Sequence, residues 1–265
     1  MGTALESEQK WTAIILAGQR PGEDAFAAAN GVAAKALIPV GGMPMLERVA
    51  RTVLGVSSID RVVVLTQDPE TLLSGSLRWM ADDPRVDTAR ADDGISASVM
   101  AVAGSEVAPW PVLLVTADHA LLTTAMIEEF LAVAREADAA AAVVERQTVE
   151  AAYPTTRRTW LRFRDGDYTG ANLFALTGPQ ARKALAAWSG VERDRKKAMR
   201  LLMHFGPFLA LRAATRTISL DGFVSAMARR YSMDLRAVRL GQAEAAIDVD
   251  KADDLRLVEA ILARS

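Results

Sequence analysis

Two short stretches of this chain determine its fold class. Residues 12–18 have the sequence TAIILAG, and residues 112–118 have the sequence VLLVTAD. The apolar part of the second stretch shows no alternation with polar residues, which is typical of a strand buried on both faces of a parallel sheet. Ligands of such sheets bind where the strands end at their carboxyl edge. The two stretches therefore predict an α/β protein whose ligand site follows its central strands.

The rest of the chain alternates short β-branched runs with longer helical patterns. This order predicts βαβ units and a doubly wound, mainly parallel, Rossmann-like sheet. The predicted strands cover residues 12–16, 61–65, 112–115, 139–145, 159–163, 170–176 and 245–249. The predicted helices cover residues 45–54, 72–80, 96–103, 124–137 and 253–262.

We expect one domain over residues 1–265, built from three parts. Residues 12–146 form the first part, and residues 153–240 form the second part, in which the sheet becomes mixed around the turn at residues 164–167. The second part includes a helical insertion at residues 178–236, which is rich in Arg and Lys. Residues 245–263 return to the core as a closing strand and helix.

Composition excludes several classes of function. The 265 residues are 51% hydrophobic, enough for one substantial core. The 31 basic and 33 acidic residues give a net charge of -2, so no global field draws the protein to nucleic acid, and we expect no nucleic-acid partner. The chain has no cysteine, which excludes disulfides, thiolate zinc sites and cysteine nucleophiles.

The sequence also predicts where the protein works. The first dozen residues include Glu6, Glu8 and Lys10 and lack the basic start and long apolar run of a signal peptide. A transmembrane helix needs about 20 consecutive apolar residues, and the apolar stretches here are interrupted by Arg, Asp or Pro. We therefore expect a cytoplasmic protein without a transmembrane segment.

The first candidate site is the loop after the first strand. Its opening residues Leu16, Ala17 and Gly18 are followed by Arg20 and later by Lys35. Glycine allows close backbone approach to a phosphate, while Arg and Lys supply charge to a triphosphate. The alternative is an ordinary turn between a strand and a loop.

The second candidate site is Asp118, directly after the buried run at residues 112–115. An ionised carboxylate at that position needs a partner or a metal ion, and magnesium is such a partner. The alternative is a helix cap, although Thr123 and Thr124 can cap the next helix themselves. His119 either contacts substrate or packs at the strand end, and we favour packing.

The third candidate site is the stretch Ile247-Asp248-Val249-Asp250. Alternation along a strand places Asp248 and Asp250 on the same face. One of them can join Asp118 around a hard cation that takes oxygen ligands. The alternative is that Asp250 only caps the helix that begins near Ala252.

In this order and spacing, the three sites resemble the nucleotidyltransferase superfamily of the molybdenum-cofactor guanylyltransferase and sugar-phosphate nucleotidyltransferase type, the MobA-like NTP transferases. The matching segments are Leu16 to Arg20, Lys35 to Leu37, Pro39 to Leu46, Gly94 to Val99, Thr116 to His119 and Asp250 to Leu255. The resemblance implies that Lys35 binds phosphate, that Gly94 and Ser98 lie in a base-contacting stretch, and that Asp118 and Asp250 hold the metal. Catalysis would then rest on Lys35, Asp118 and Asp250.

Two features depart from the family pattern. Gln19 replaces the second glycine, and the loop to Lys35 is longer than usual in the family. The resemblance also implies acceptor recognition in residues 153–240, where a family turn with a leading Asn is matched only by Thr169-Gly170. The candidate acceptor-binding residues are Arg157, Arg158, Thr169, Gly170, Asn172 and Lys196. The basic run at residues 193–197 is equally well explained as a solvated helix face.

The resemblance implies a Mg²⁺-dependent transfer of a nucleoside monophosphate from a nucleoside triphosphate to a small phosphorylated acceptor. We take CTP as the donor and a polyol or inositol phosphate as the acceptor. The alternatives are a molybdopterin guanylyltransferase that uses GTP and a non-catalytic nucleotide-binding regulator. A Rossmann dehydrogenase is excluded because no Gly-x-Gly-x-x-Gly follows the first strand. Residues 201–231 mix apolar residues with arginines, which leaves open a cap, a homodimer contact or peripheral contact with lipid headgroups.

Overall fold

A mixed β-sheet forms the centre of the molecule. The computed structural model describes residues 9–19, 22, 24–92, 94–193 and 207–264, with the backbone alone at residues 190–193, 207, 208 and 210. The strands are β1 (Trp11–Leu16), β2 (Pro39–Val40), β3 (Met43–Pro44), β4 (Ile59–Thr66), β5 (Val86–Arg90), β6 (Val112–Thr116), β7 (Ala139–Glu145), β8 (Leu161–Phe163), β9 (Gly166–Leu176) and β10 (Leu235–Leu240).

The helices lie on both sides of this sheet. They are α1 (Ala25–Ala29), α2 (Met45–Leu54), α3 (Pro69–Leu72), α4 (Arg78–Asp82), α5 (Ile95–Val102), α6 (Thr124–Ala134), α7 (Arg146–Ala152), α8 (Arg182–Arg193), α9 (Pro207–Ala214), α10 (Leu220–Tyr231) and α11 (Ala252–Leu262). Short 3-10 turns cover Lys35–Leu37, Gly75–Leu77, Pro179–Ala181 and Ala243–Ala246.

The sheet order explains the mixed character. The neighbours run β10-β7-β9-β6-β1-β4-β5, with β8 paired to β9 at the side. Strands β6, β1, β4 and β5 are mutually parallel, and β10 is parallel to β7. Strand β9 is antiparallel to both of its main neighbours, β6 and β7. The fold class predicted from the sequence is therefore confirmed, including the change to a mixed sheet.

The central strands are buried because helices cover both of their faces. In β1, Ile14 packs with Val99 of α5 on one face, while Ile15 belongs to the cluster on the other face that includes Val49 of α2. Ile14 and Ile15 are both 0% exposed. Helices on both faces of a mostly parallel sheet make the doubly wound architecture. Among the described residues, no helix combines the length and apolar character needed to cross a membrane.

Two predicted elements are wrong in detail. The helix predicted at residues 72–80 is broken into α3, a 3-10 turn and α4, because Gly75 has a φ of +59°, which a helix interior does not accept. The strand predicted at residues 245–249 is a 3-10 turn followed by extended chain. It forms no ladder in the described part of the chain, because the bond that Val249 N donates goes to Asp118 O, which lies beyond the end of β6.

Candidate functional site

The candidate site lies where β1, β4 and β6 end at their carboxyl edge. Ala17 N donates to Leu65 O at 2.9 Å, and Ala117 N donates to Leu16 O at 3.1 Å. The parallel pairing thus continues one residue beyond the strands. This brings the loops that follow β1 and β6 side by side, as expected for a ligand site of an open parallel sheet.

Lys35 connects the two predicted metal-binding aspartates. Its Nζ lies 2.6 Å from Asp118 Oδ2, and it also donates a hydrogen bond to Asp250 Oδ1. Burial alone would lower the pKa of Lys35, but the attraction of Asp118 and Asp250 and their hydrogen bonds raise it above its ordinary value of 10.5. Lys35 is therefore a charged ammonium held between two carboxylates.

The backbone explains how Asp250 reaches this site from more than 130 residues away in sequence. Ile247 and Val249 are buried apolar residues that anchor the stretch before α11. Val249 N donates to Asp118 O at 3.1 Å, so the extended chain is bonded to the end of β6. Asp250 follows immediately and lies beside Asp118, as the sequence predicted.

Asp118 and Asp250 are suited to a hard divalent cation. The second carboxylate oxygen of Asp118, Oδ1, is buried and has no hydrogen-bond partner in the described part of the chain. No group of three or more His, Cys, Asp or Glu residues in that part is arranged to hold a metal. Magnesium, however, is typically bound by one or two carboxylates together with substrate phosphates and water. The two aspartates fit that requirement.

Gln67 clamps the loop after β1 and was missed by the sequence analysis. Its Oε1 accepts a hydrogen bond from Gln19 N at 3.0 Å, and its Nε2 donates to Gln19 O at 3.1 Å. A Cβ at position 18 would lie 3.1 Å from the Gln67 amide, so Gly18 permits this close approach. The available signal was a polar residue one position after the end of β4. Leu16 ends β1, and Arg20 lies outside the described residues.

The second predicted nucleotide-binding stretch forms the entry to α5. Gly94 adopts a φ of +101° and is the N-cap residue of the helix. Ser98 is 2% exposed, and its hydroxyl donates to Gly94 O at 2.8 Å and accepts from Asp92 N at 2.9 Å. Ser98 therefore shapes this loop. A direct contact with a nucleotide stays a prediction for both residues.

The sequence predicted that Arg158 binds the acceptor. In the structure, however, its side chain is already bonded to other residues of the chain. Its side chain is only 9% exposed and forms ion pairs with Asp248 and Asp254. Asn172, another predicted acceptor-binding residue, adopts a φ of +52° and donates to Asp248 Oδ2 at 3.1 Å. Both side chains are engaged by carboxylates next to the candidate metal site.

The other predicted acceptor-binding residues have different surroundings. Thr169 is buried in β9 opposite Val144, while the neighbouring Gly170 is exposed. Arg157 is exposed in the segment that follows α7. Lys196 lies outside the described residues. The structure thus leaves Gly170 and Arg157 accessible to a ligand.

Two further titratable groups complete the surroundings. His119 is 1% exposed, and burial lowers its pKa to about 4, so it is neutral at neutral pH. It packs at the end of β6, as favoured from the sequence. Burial raises the pKa of Asp248 above its ordinary value of 3.8, Asp250 adds to this rise, and Arg158 opposes it. The carboxylates of Asp118 and Asp250 thus face Lys35, and the carboxylate of Asp248 faces Arg158.

Known proteins share the sequence pattern and the fold of this chain. The sequence matches the MobA-like NTP transferase domain over residues 13–215. A solved structure described as a hypothetical transferase from Thermus thermophilus is 29% identical, with a TM-score of 0.76 and coverage of 93% of this chain and 99% of that chain. No match is found among curated protein sequences.

Two other solved structures share the fold at lower identity. The first is 4-diphosphocytidyl-2C-methyl-D-erythritol synthase from Anaerococcus prevotii, 12% identical with a TM-score of 0.57 and coverage of 97% of both chains. The second is CMP:2-keto-3-deoxy-manno-octonic acid synthetase complexed with CTP, 17% identical with a TM-score of 0.57 and coverage of 96% of this chain and 99% of that chain.

Proposed function

Because the chain belongs to the MobA-like NTP transferase family and is a nucleotidyltransferase, we propose that it transfers CMP from CTP to a small phosphorylated acceptor. A polyol phosphate or an inositol phosphate is the acceptor we favour, and pyrophosphate is the second product. Two structures with the same fold are described by names that contain cytidine nucleotides, which makes CTP the first donor to test.

The observation that carries the proposal is the contact of Lys35 with both Asp118 and Asp250 at the ends of the central strands. In the proposed reaction, a phosphate oxygen of the acceptor forms a bond to the α-phosphorus of CTP. The bond between that phosphorus and the bridging oxygen of the β-phosphate breaks, and pyrophosphate leaves with the electron pair. Negative charge accumulates on the transferred group, and the Lys35 ammonium is placed to donate hydrogen bonds to it.

Asp118 and Asp250 would hold the magnesium ion of this enzyme. Nucleotidyltransferases of this type typically use a divalent metal. When bound, the ion supplies charge neutralisation to the oxygens of donor and acceptor. In the proposed reaction the triphosphate would bind to backbone N–H groups of the loop at Gly18 and to Arg20. Acid–base chemistry by a side chain is not required, which agrees with the burial of His119.

The proposal divides the chain by task. Residues 12–146 would bind the nucleotide, with Gly94 and Ser98 shaping the part that contacts the base. Residues 153–240 would select the acceptor through Arg157, Gly170 and the residues around Asn172, with Lys196 in the same part of the sequence. Residues 245–263 would contribute Asp250. The adjacency of β9 to β6 supports this division, because it brings the acceptor part beside the end of the nucleotide-binding part.

The test is an assay for pyrophosphate release. The protein is incubated with Mg²⁺, each of the four nucleoside triphosphates, and a panel of polyol, inositol, sugar and pterin phosphates. We expect release with CTP and a polyol or inositol phosphate, and none with the Asp118→Asn variant. Release only with GTP and molybdopterin would establish the alternative suggested by the family match. Tight nucleotide binding without turnover on any acceptor would identify a regulator instead.

A further inference from the structure

We infer that Arg158 is a positioning residue that holds Asp250 in place through Asp248 and Asp254, and that it does not bind the acceptor. The inference rests on the proposed function, since it concerns the geometry of a residue assigned there to the metal ion. It follows from three features: the bonds of Arg158 on both sides of Asp250, the second contacts made by its two partners, and the local balance of charge.

Arg158 bonds to the chain on both sides of Asp250. Its Nη1 donates to Asp248 Oδ1, two residues before Asp250, and its Nη2 donates to Asp254 Oδ1 at 3.3 Å, four residues after it. Asp248 lies in the extended stretch, while Asp254 lies in the first turn of α11. One guanidinium thus fixes the bend of the chain at which Asp250 is presented.

Each partner of Arg158 uses its other carboxylate oxygen for a second contact. Asp254 Oδ2 accepts a hydrogen bond from Asp250 N at 3.3 Å. Asp248 Oδ2 accepts one from Asn172 Nδ2 at 3.1 Å, which links the stretch to β9. The path from Arg158 to the backbone of Asp250 therefore passes through a single side chain. Asn172 becomes part of the same support, in place of the acceptor contact expected from the sequence.

Charge balance gives Arg158 a second reason to be present. The cluster contains the four carboxylates of Asp118, Asp248, Asp250 and Asp254, bonded by the two cations Lys35 and Arg158, which leaves a formal charge of -2. That charge matches one divalent cation. Without Arg158, Asp248 and Asp254 would be unpaired in a poorly solvated place, and repulsion would separate them from Asp250.

Arg158 bonds its two carboxylates through two separate nitrogen atoms, Nη1 and Nη2. The planar guanidinium presents several donors in a rigid fork, whereas the lysine ammonium donates from a single nitrogen on a flexible chain. Arg158→Lys keeps the positive charge, but its one nitrogen would have to reach two carboxylates that are placed for two nitrogens, so we expect at least one of the two bonds to be lost. The variant therefore isolates the bridging geometry from the charge.

Arg146 offers a matched control for the same substitution. It also bridges two carboxylates, with Nε 2.7 Å from Glu150 Oε1 and Nη1 3.1 Å from Asp167 Oδ2. Within the described part of the chain, neither Glu150 nor Asp167 forms a hydrogen bond or an ion pair with Lys35, Asp118 or Asp250. Arg146→Lys therefore tests the general cost of losing a bridging arginine.

The experiment measures Mn²⁺ affinity without nucleotide, by electron paramagnetic resonance, together with kcat and both Michaelis constants. Partners that orient metal ligands commonly change affinity or activity by about 10-fold to 100-fold when altered. We expect Arg158→Lys to lower Mn²⁺ affinity and kcat by about tenfold or more, with the acceptor KM changed far less than kcat. Arg146→Lys should leave all four quantities unchanged.

Other outcomes separate this inference from the proposed function. A raised acceptor KM with unchanged Mn²⁺ affinity in Arg158→Lys would overturn the inference and return Arg158 to the acceptor site. Asp250→Asn serves as the reference variant: if it also leaves Mn²⁺ affinity unchanged, the metal assignment of the proposed function fails. If Asp250→Asn weakens Mn²⁺ binding and Arg158→Lys does not, only the inference fails.

A second variant decides the question if Arg158→Lys does not fold. Asp254→Asn keeps the shape of the side chain but has an NH₂ group in place of one oxygen, so it cannot accept at both of the positions where Oδ1 and Oδ2 now bond to Arg158 and to Asp250 N. We expect weaker Mn²⁺ binding and lower kcat in this variant, with normal secondary structure by circular dichroism. Unchanged Mn²⁺ affinity in folded Asp254→Asn would overturn the inference.

Discussion

At the scale of single residues, Lys35 is a charged ammonium held by two carboxylates, and in the proposed function it would bind a phosphate. Burial opposes its charge, but two carboxylates outweigh burial and raise its pKa above 10.5. It therefore stays protonated throughout the neutral range. A charged donor of this kind can leave its carboxylate partners for the phosphates of a nucleotide without a change of protonation.

Lys35→Ala should weaken nucleotide binding without unfolding the protein. A hydrogen bond to a charged group contributes about 1.5 to 3 kcal/mol, so we expect the dissociation constant of the nucleotide to rise by about 10-fold to 100-fold. Isothermal titration calorimetry measures this change. Lys10→Ala is the control, because Lys10 donates to Ser57 O at 2.8 Å near the amino end of β1. Equal nucleotide affinities in wild type and folded Lys35→Ala would remove Lys35 from the site.

Asp118→Asn and Asp250→Asn should each nearly abolish turnover. Either change removes a negative charge from a hard-cation site, and metal neutralisation is worth several kcal/mol of the barrier. At about 1.4 kcal/mol for each factor of ten, kcat should fall by about a thousandfold or more. The control is Asp87→Asn. Asp87 lies on the edge strand β5 and pairs with Arg61 of β4, so this variant should keep normal kcat. Near-normal Mg²⁺-dependent turnover in both site variants would refute the mechanism.

The raised pKa of Tyr153 predicts that one contribution to the stability of the folded protein is lost at alkaline pH. Burial and the hydrogen bond of its hydroxyl to Glu244 raise its pKa to about 12 from 10.0. A raised pKa means that the protonated form is favoured in the folded state, so this contribution is complete below pH 10 and is lost as pH rises toward 12. Tyr153→Phe should remove a step near pH 12 from the tyrosinate absorbance titration. A titration identical to wild type in Tyr153→Phe would contradict the assignment.

At the scale of secondary-structure elements, β9 and the segment before it carry the proposed selection of the acceptor. Arg157 is exposed, whereas the side chain of Arg158 is only 9% exposed, so we propose different tasks for the two neighbouring arginines. Arg157→Ala should raise the acceptor KM by about tenfold, the effect of losing one charge-assisted contact of about 1.4 kcal/mol, with the nucleotide KM nearly unchanged. Steady-state kinetics with each substrate varied in turn tests this, with Arg230→Ala on α10 as control. Equal effects on both substrates would argue against the division of tasks.

The interior strands could be predicted from the sequence, whereas β5 and β10 at the two ends of the sheet could not. Strands β1, β4, β6 and β7 are apolar runs buried between helices, and this pattern is visible without the structure. Strand β5 has only Val86 buried, and β10 carries Arg236 and Arg239, so neither shows the apolar run of a central strand. Their existence depends on pairing with a neighbour that is distant in sequence.

The candidate site was predictable to a similar extent. Lys35, Asp118 and Asp250 follow from their positions after strands and from the family resemblance, and the structure brings them together. The partners of Arg158 were not predictable, because Asp248 and Asp254 approach it from 90 and 96 residues away. An arginine next to a predicted phosphate site looks the same in sequence whether it binds substrate or a buried carboxylate.

At the scale of the whole molecule, the proposed function makes Lys35 a link between the metal ion and the nucleotide. The ammonium lies between the two carboxylates that would hold the ion, so the two cations would compete until phosphates attract Lys35 away. We expect a small rise in Tm with Mg²⁺ alone, and a rise with Mg²⁺ and CTP together that exceeds the sum of the separate effects. Differential scanning fluorimetry measures these shifts.

A lysine variant provides the control for this coupling. Lys35→Met removes the competing ammonium, so Mg²⁺ alone should raise the Tm of this variant more than it raises that of the wild type. The coupling between metal and nucleotide should shrink accordingly. A full Tm rise of the wild type with Mg²⁺ alone would show that Lys35 and the ion do not compete.

The position of β9 limits how this enzyme can acquire new substrates. Because β9 forms ladders with both β6 and β7, its removal would leave two interior strands with unpaired edges in the middle of the sheet. The proposed acceptor part is therefore no detachable module, and a chimera that exchanges it whole must supply a strand that pairs with both β6 and β7. Evolution and engineering are left with the loops at the two ends of β9, where a change of substrate costs no hydrogen bond of the sheet.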